Sequence, residues 1–431
     1  IICGMTNVIQ EIKEKTDIAD FIGSYIKLIP AGRNLKAACP FHEEKTPSFI
    51  VSPERQIWHC FGCNSGGDAI KFLMQYENLE FHEAIRILAE KAGVQLTSFN
   101  FREQKEIMVL YDLNEKAKNF FRKQLENNKI ALEYLRKRGL KSETIDKFEL
   151  GFSPGGDSLT VYLVNLGYDM KDIQKAGLIV KTERGTYRDK FYERIIFPIP
   201  NPQGKIAGFT GRLLPEKEAA TEAPKYLNSP ETPIFNKSKT LYGLHLSKKE
   251  IIASKTAFLV EGQMDLLMSW QSGIKNAVAT SGTALTAEHL KTIKRLADTL
   301  ILSFDKDPAG LSALERSLEV ILPYDFNIKA IDLGEFKDPA DAAEKDSSFL
   351  PKAVLESTPV LSYLLDIYLA PASDEITKKR NIRHLLEKIA KMSALDEDYW
   401  MKKLAEKSGV GEKTLYLEIS KIRSRPSLYA N

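Results

Sequence analysis

The chain has very little cysteine: four among 431 residues, three of them inside one short segment. That leaves no disulfide framework and points to a reducing cytosol and a bound metal. Long apolar runs are missing as well. None approaches the twenty or so residues that a membrane-crossing helix needs. Residues 1–4 are too short to be a secretory signal, which makes Met5 the expected start and the cytoplasm the expected compartment. A large net charge is also absent: 61 Lys and Arg stand against 58 Asp and Glu, so no overall field gathers polyanions. What remains, 43% hydrophobic and 28% charged, suits an ordinary soluble protein with room for two to four domains.

The near-neutral total conceals a division. From residue 181 to 255 there are fourteen Lys and Arg against eight Asp and Glu, whereas from 256 to 346 the count is nine against fifteen. A basic stretch beside an acidic one suits an enzyme that holds a phosphate backbone with one part and metal ions with another.

Within 256–345, short apolar runs alternate with amphipathic segments of about a dozen residues, the pattern of repeated β-α units and a parallel sheet. The run 257–260 ends in Glu261-Gly262, and a helical segment carrying Asp265 follows. A second run leads into Ser281-Gly282-Thr283, the run 300–304 into Asp305-Lys306-Asp307, and the run 328–333 to Asp338-Pro339. Ligands collect at the carboxyl ends of such strands. Several carboxylates gathered there repel one another unless a cation compensates them, and hard oxygen ligands favour magnesium or manganese. Glu261, Asp305, Asp307 and Asp338 are therefore the expected ligands. Asp305 and Asp307, at i and i+2 on an extended segment, project to one side with Lys306 pointing away. Asp265, one turn along its helix, is expected to orient a ligand or a basic neighbour.

A second metal motif lies near the start. Cys39-Pro40-Phe41-His42 and Cys60-Phe61-Gly62-Cys63 are two knuckles separated by a hairpin. Three thiolates and one imidazole close a tetrahedral shell, so the zinc is expected to be structural. His59 breaks the paired spacing. Aromatic Phe49, Trp58 and Phe61 are interleaved with Arg33, Lys36, Lys45, Arg55 and Lys71, a mixture that grips single strands. Phe49 and Phe61 suit the core of the ribbon, and Trp58 is the expected stacking residue. Beyond it, 97–106 reads as a polar linker, 107–150 as helical, and 151–243 as short strands and turns. Helical spacing returns over 353–369, 376–392 and 412–422, a small bundle.

The segments Val260-Glu261-Gly262-Gln263-Met264-Asp265, Ser281-Gly282-Thr283-Ala284-Leu285 and Phe304-Asp305-Lys306-Asp307-Pro308-Ala309-Gly310 resemble the Toprim core of bacterial replicative DNA primases of the DnaG type. The zinc motif with its sequel Ser65-Gly66-Gly67-Asp68-Ala69-Ile70 resembles the same family, as does Lys225-Tyr226-Leu227-Asn228-Ser229-Pro230. The resemblance implies an RNA polymerase that makes short primers from NTPs on single-stranded DNA and leaves an RNA–DNA hybrid. It implies an α/β multidomain chain: a zinc-ribbon DNA-binding domain at 5–97, a basic mixed α+β subdomain at 107–255, a Toprim core at 256–347 and a helical subdomain at 348–425. A helicase-binding C-terminal domain is expected outside these 431 residues.

By the same resemblance Arg138, Lys190, Arg212, Lys225, Tyr226, Asn228 and Lys237 hold template or nascent duplex, and Glu261 serves as ligand or general base. A Toprim nuclease or topoisomerase fragment and a non-catalytic zinc-ribbon DNA-binding protein are the competing readings. The chain departs from the family at Asp338-Pro339-Ala340-Asp341, where Ala340 replaces the second carboxylate of an Asp-x-Asp pair. Asp341 falls at the third position of a helix capped by Asp338, where an acid serves the free amides.

Overall fold

Strand alternation builds the first unit of the protein, Ile1–Glu106. Phe49 and Val51 face inward from one strand, Trp58 and Cys60 from its neighbour, and all four are buried. Five strands, Ile29–Ala31, Asn34–Ala37, Phe49–Ser52, Ile57–Cys60 and Gly66–Gly67, form an antiparallel sheet in sequence order. Helices Ile18–Gly23, Ala69–Tyr76 and Phe81–Ala92 supply Ile18, Ile22, Phe72, Leu73, Ile85 and Leu88 to the same core. Asp17 and Asp68 start the first two helices by accepting from backbone N–H groups that lack a helical partner.

The structure is a computed structural model and describes all residues except 1, 45, 78, 80, 95–100, 184, 219–221, 306, 371–373 and 425–431. Lys45, Lys306 and residues 97–100 of the expected linker lie outside the described residues. A helix runs Phe101–Glu126, so the linker reading is corrected for 101–106, whose Arg, Glu, Gln and Lys are good helix formers.

The second unit, Ile107–Asn431, is organised by two sheets. The first is antiparallel, in the order Tyr226–Asn228, Ile206–Leu213, Arg194–Pro200 and Gly151–Ser153. Its two central strands are buried along their whole length. A bulge between Ile206 and Gly208 frees two carbonyls, those of Ile206 and Ala207, and both accept from Asn114 Nδ2. This is the basic sheet.

In the second, acidic sheet, strands Ala277–Ala279, Thr256–Val260, Thr299–Leu302 and Asn327–Ala330 lie parallel in that order. An antiparallel edge, Thr358–Pro359, completes it. That edge corrects the reading of 353–369 as one helix: Pro359 has no N–H to continue a helix, and the chain breaks there into Phe349–Leu355 and Val360–Tyr368.

Helices Val360–Tyr368, Glu375–Ile389, Ala394–Ser408 and Glu412–Ser424 pack on the acidic sheet's helix Pro308–Ile321 through Leu314, Leu318, Leu364, Leu385 and Met401. Polar contacts reinforce this joint. Glu315 accepts from Tyr368 Oη at 2.7 Å, pairs with His384 and lies 3.6 Å from the buried Lys388 ammonium. Burial opposes its charge, but these partners prevail and hold the carboxyl down at about 2. The bundle thereby braces the helix that begins at Asp307.

Candidate functional site

In the first unit the ligand atoms of Cys39, His42, Cys60 and Cys63 all lie within 4.8 Å of one another. The Cys39 and Cys63 sulfurs are 3.9 Å apart, close to the roughly 3.8 Å edge of a tetrahedron with Zn–S bonds of about 2.3 Å. Glu44 organises this cluster. Its Oε1 accepts from the N–H groups of Cys39 at 2.7 Å and Ser48 at 2.9 Å, and its Oε2 lies 3.3 Å from His42 Nε2. That leaves His42 Nδ1, 3.7 Å from the Cys60 sulfur, as the inward nitrogen, the usual carboxylate–histidine–zinc relay. Gly62 is required here, because a Cβ would stand 2.4 Å from His42 Nε2. Three thiolates and one imidazole fit a zinc with no open position. His59 stays outside, its Nε2 3.2 Å from Asn64 Oδ1.

Trp58 is not the stacking residue expected. It is 1% exposed, stacks on Phe49 at 5.0 Å and donates from Nε1 to the Asp68 carbonyl at 3.1 Å. Period-two alternation pairs it with Val51 on the inner face. Phe61, assigned to the core, is 73% exposed and stands edge-on to His59 at 4.7 Å. It belongs to the knuckle beyond the strand's end, where alternation no longer applies.

In the second unit the acids converge on the carboxyl edge of the acidic sheet. Glu261 follows Val260 directly. Burial, then Asp305 and Asp307, push its carboxyl up to about 7, and its Oε1 is buried with no partner. Asp265 is likewise lifted to about 7, by burial and then by Asp338 and Asp305. Asp305 is raised by burial, Asp338 and Asp307, against the opposing pull of Lys337 and Lys225. Asp307 caps the helix Pro308–Ile321 by accepting from Gly310 N at 2.7 Å. Gly310 admits this tight approach, since a Cβ there would meet the Asp305 carbonyl at 1.9 Å. Asp338 is carried past its strand by 331–337 and caps Pro339–Lys345 through Asp341 N at 2.7 Å.

Asp341 turns away from this edge, accepting from Lys337 N at 3.2 Å and pairing with Lys345 at 2.9 Å. Ala340, 2% exposed, gives its N–H to Asp265 Oδ1 at 3.2 Å. Among the described residues the Cys/His set alone brings three or more ligand atoms to one point. The carboxylates raise one another's charging cost without closing on a single centre, a donor set suited to a partly hydrated magnesium or manganese ion.

The basic sheet meets this edge. Lys225 is exposed, and its charge is felt at Asp305. The Tyr226 hydroxyl is pushed up to about 12, chiefly by burial, with Asp265 and Arg138 among its neighbours. Burial works against the Arg138 charge, and Tyr134, Tyr226 and Asp338 more than restore it. Lys190 is lowered by burial, then by Lys237 and Arg194. Lys237 is half-buried, its carbonyl 3.0 Å from His289 Nε2. Asn228 lies between the sheets, bonded to Thr210 and to the Ser281 carbonyl.

Arg212 departs from expectation. It is 4% exposed and donates to Tyr134 Oη at 2.9 Å, the Leu213 carbonyl at 3.0 Å and Glu218 at 3.1 Å. Its guanidinium stands 5.5 Å from the Tyr134 ring centre and 5.3 Å from that of Tyr226. A cation so enclosed supports the tyrosines and does not itself present a free phosphate contact.

Three family profiles match the chain in order: CHC2 zinc finger over residues 5–104, DNA primase catalytic core, N-terminal domain over 120–248, and Toprim-like over 258–343. The DNA primase of Borreliella burgdorferi is 37% identical over 434 residues, covering 97% of this chain and 82% of the relative. The chain belongs to the DNA primase family. Its fold is similar to that of the Aquifex aeolicus primase zinc-binding and RNA polymerase domains, with TM-score 0.63 and 30% identity over 95% of this chain and 99% of that one. It is also similar to a DnaG primase catalytic domain bound to single-stranded DNA, with TM-score 0.60 and 30% identity over 72% and 99%.

As a DNA primase the protein is a DNA-directed RNA polymerase that makes RNA primers for replication on a DNA template, and its ribbon is a zinc site. The nuclease, topoisomerase and non-catalytic readings give way to the primase catalytic-core match and to relatives that are DNA primases over most of their length. Among the described residues no helix is long and apolar enough to cross a membrane. Membership of the primase family leaves several site residues that the sequence reading missed. Phe61 was legible only from where its strand stops. Thr210 and Gln263 meet only when the two sheets come together, and Tyr134 reaches Arg212 from the helix Lys129–Lys137, contacts that local spacing does not show.

Proposed function

We propose that Glu261, Asp265, Asp305, Asp307 and Asp338 hold the catalytic magnesium or manganese ions, and that primers grow from NTPs at this edge. The observation that carries the proposal is the buried, partnerless Oε1 of Glu261 among carboxyls that raise one another's pKa. Bound ions would supply activation of the primer 3′-hydroxyl and neutralisation of the triphosphate. The protein's part is positioning. Asp307, Asp338 and Asp265 each accept through Oδ1 from a backbone N–H, which restrains the carboxylate where an ion would be held. Glu261, with its carboxyl near neutrality, takes a ligand's or a general base's place through the same buried oxygen. Ala340 lacks the second carboxylate that the family resemblance implies there, and Asp265, seated on the Ala340 N–H, is the carboxylate assigned to take its place.

Lys225, Tyr226, Arg138, Lys190 and Lys237 line the approach from the basic sheet, where single-stranded template and then the RNA–DNA hybrid would lie. The exposed Phe61 of the zinc ribbon offers a face for a template base. The replicative helicase is an expected partner, and the cytoplasm is the expected compartment. The test is synthesis of short alkali-labile products from NTPs on single-stranded DNA with magnesium. Asp305→Ala should make none and yet bind the oligonucleotide within about twofold of the parent, since phosphate contacts set that affinity. Substantial synthesis by Asp305→Ala at saturating magnesium would remove it from the site.

A further inference from the structure

A closed ring of hydrogen bonds surrounds the loop that carries Glu261. Gln263 Nε2 donates to Thr210 Oγ1 at 2.9 Å, and Thr210 Oγ1 donates to Asn228 Oδ1 at 2.6 Å. Asn228 Nδ2 donates to the Ser281 carbonyl at 3.1 Å. Ser281 N–H donates to the Glu261 carbonyl at 3.0 Å, and Gln263 lies two residues along the chain from Glu261, so the circuit closes. Two members come from the basic sheet and the others from the acidic one.

Three properties make this ring more than a packing contact. Its bonds all run in one direction, so Thr210 and Asn228 each accept from one member and donate to the next, an arrangement in which bonds reinforce one another. It is dry at its Gln263–Thr210 link: Thr210 is 0% exposed and Gln263 3%, so breaking that link leaves buried polar atoms unsatisfied. It also holds an unfavourable conformation, because Ser281 sits at φ 59°, in the left-handed region that non-glycine residues rarely adopt.

We infer that Thr210, Asn228 and Gln263 are positioning residues, and that the ring locks the Glu261 loop and the Ser281-Gly282 turn to the basic sheet so that Glu261 stays in register with Asp305 and Asp307. Asn228 then acts through the ring and not as the template contact that family resemblance implied, since its amide oxygen and nitrogen are both engaged within it. The inference rests on the reading of Glu261 as part of the catalytic site.

Thr210→Val keeps the side-chain shape and removes the hydroxyl, opening two links. In magnesium-free, nucleotide-free protein, the Ser281 amide should exchange with deuterium at least about tenfold faster, a readout of local opening that needs no activity. Turnover should fall about tenfold while the KM for template stays within about twofold, the mark of a group that matters only as the reacting atoms are set. Thr210→Ser should restore both.

Wild-type exchange in Thr210→Val overturns the inference, and so does fast exchange with wild-type turnover. Should Thr210→Val fail to fold, Gln263→Met opens the same ring from its other side at a single bond and is read by the same two measurements. Glu261→Gln separates the inference from its premise. That variant leaves the ring's backbone carbonyl in place, so full turnover there would refute the catalytic reading alone.

Discussion

Arg212→Ala is expected to unsettle the fold and to leave the electrostatics of DNA binding alone. The guanidinium has three hydrogen-bond partners, in Tyr134, Leu213 and Glu218, and two aromatic faces. Breaking a buried ion pair costs about 3–5 kcal/mol when its partner is left stranded. Here Glu218 is 36% exposed and rehydrates, and the nearby Arg194, whose charge is disfavoured by burial and by Arg212, is relieved. That relief lowers the ion-pair cost to roughly 1–2 kcal/mol, and loss of the tyrosine contacts adds roughly 1–2 kcal/mol, a net cost of roughly 2–4 kcal/mol. At about 2 °C per kcal/mol for a large domain, the second unit should melt roughly 4–8 °C lower.

In parallel, the salt dependence of oligonucleotide binding should keep its slope. Lys225→Ala, at an exposed position, should lower that slope by roughly 0.7, the value of one lost contact to a single strand, and leave melting unchanged. If Arg212→Ala melts with the parent and loses roughly 0.7 of slope, the buried-support reading is refuted.

Cys60→Ser should release the zinc and unfold the first unit, since metal binding contributes on the order of 10 kcal/mol to such modules; retained stoichiometric zinc would show that the ligand set is wrong. Trp58→Ala should destabilise the ribbon by about 3–5 kcal/mol, whereas Phe61→Ala should leave its melting unchanged and weaken template engagement; the reverse pattern would return Trp58 to the surface. Without magnesium, the carboxyls of Glu261 and Asp265, each lifted to about 7, hold protons in the folded state that the unfolded chain has lost. The second unit's stability should therefore fall as pH rises from about 4 to about 7, and saturating magnesium should flatten the curve, as melting at several pH values would reveal.

Residues whose place depends on local spacing were legible from the sequence. The zinc ligands announce themselves by paired knuckles, and Glu261, Asp305 and Asp307 by their place after apolar runs. Asp341 was readable as a helix-terminus acid because Asp338-Pro339 starts the helix, and it does face Lys337 and Lys345. Failures came where burial depends on the partner element. Arg212 has the composition of a phosphate contact, and only the meeting of Tyr134 with Tyr226 encloses it. Trp58 and Phe61 exchanged roles because the strand ends at Cys60, one residue before Phe61. Asp265 was expected to orient a neighbour, and its nearness to Asp338 and Asp305 emerges only when the helices Gln263–Gln271 and Pro339–Lys345 pack together.

The central claim is that the divalent ion sits among these five carboxylates, and iron-directed backbone cleavage tests it most directly. Fe(II) is substituted for magnesium in the intact protein, ascorbate and peroxide are added, and the cut sites are mapped by mass spectrometry. The account predicts cuts clustered near residues 261–265, 305–307 and 338–340, suppressed by excess magnesium and lost in Asp305→Ala. Cleavage that is absent from all three segments, or that persists unchanged in Asp305→Ala, would contradict it.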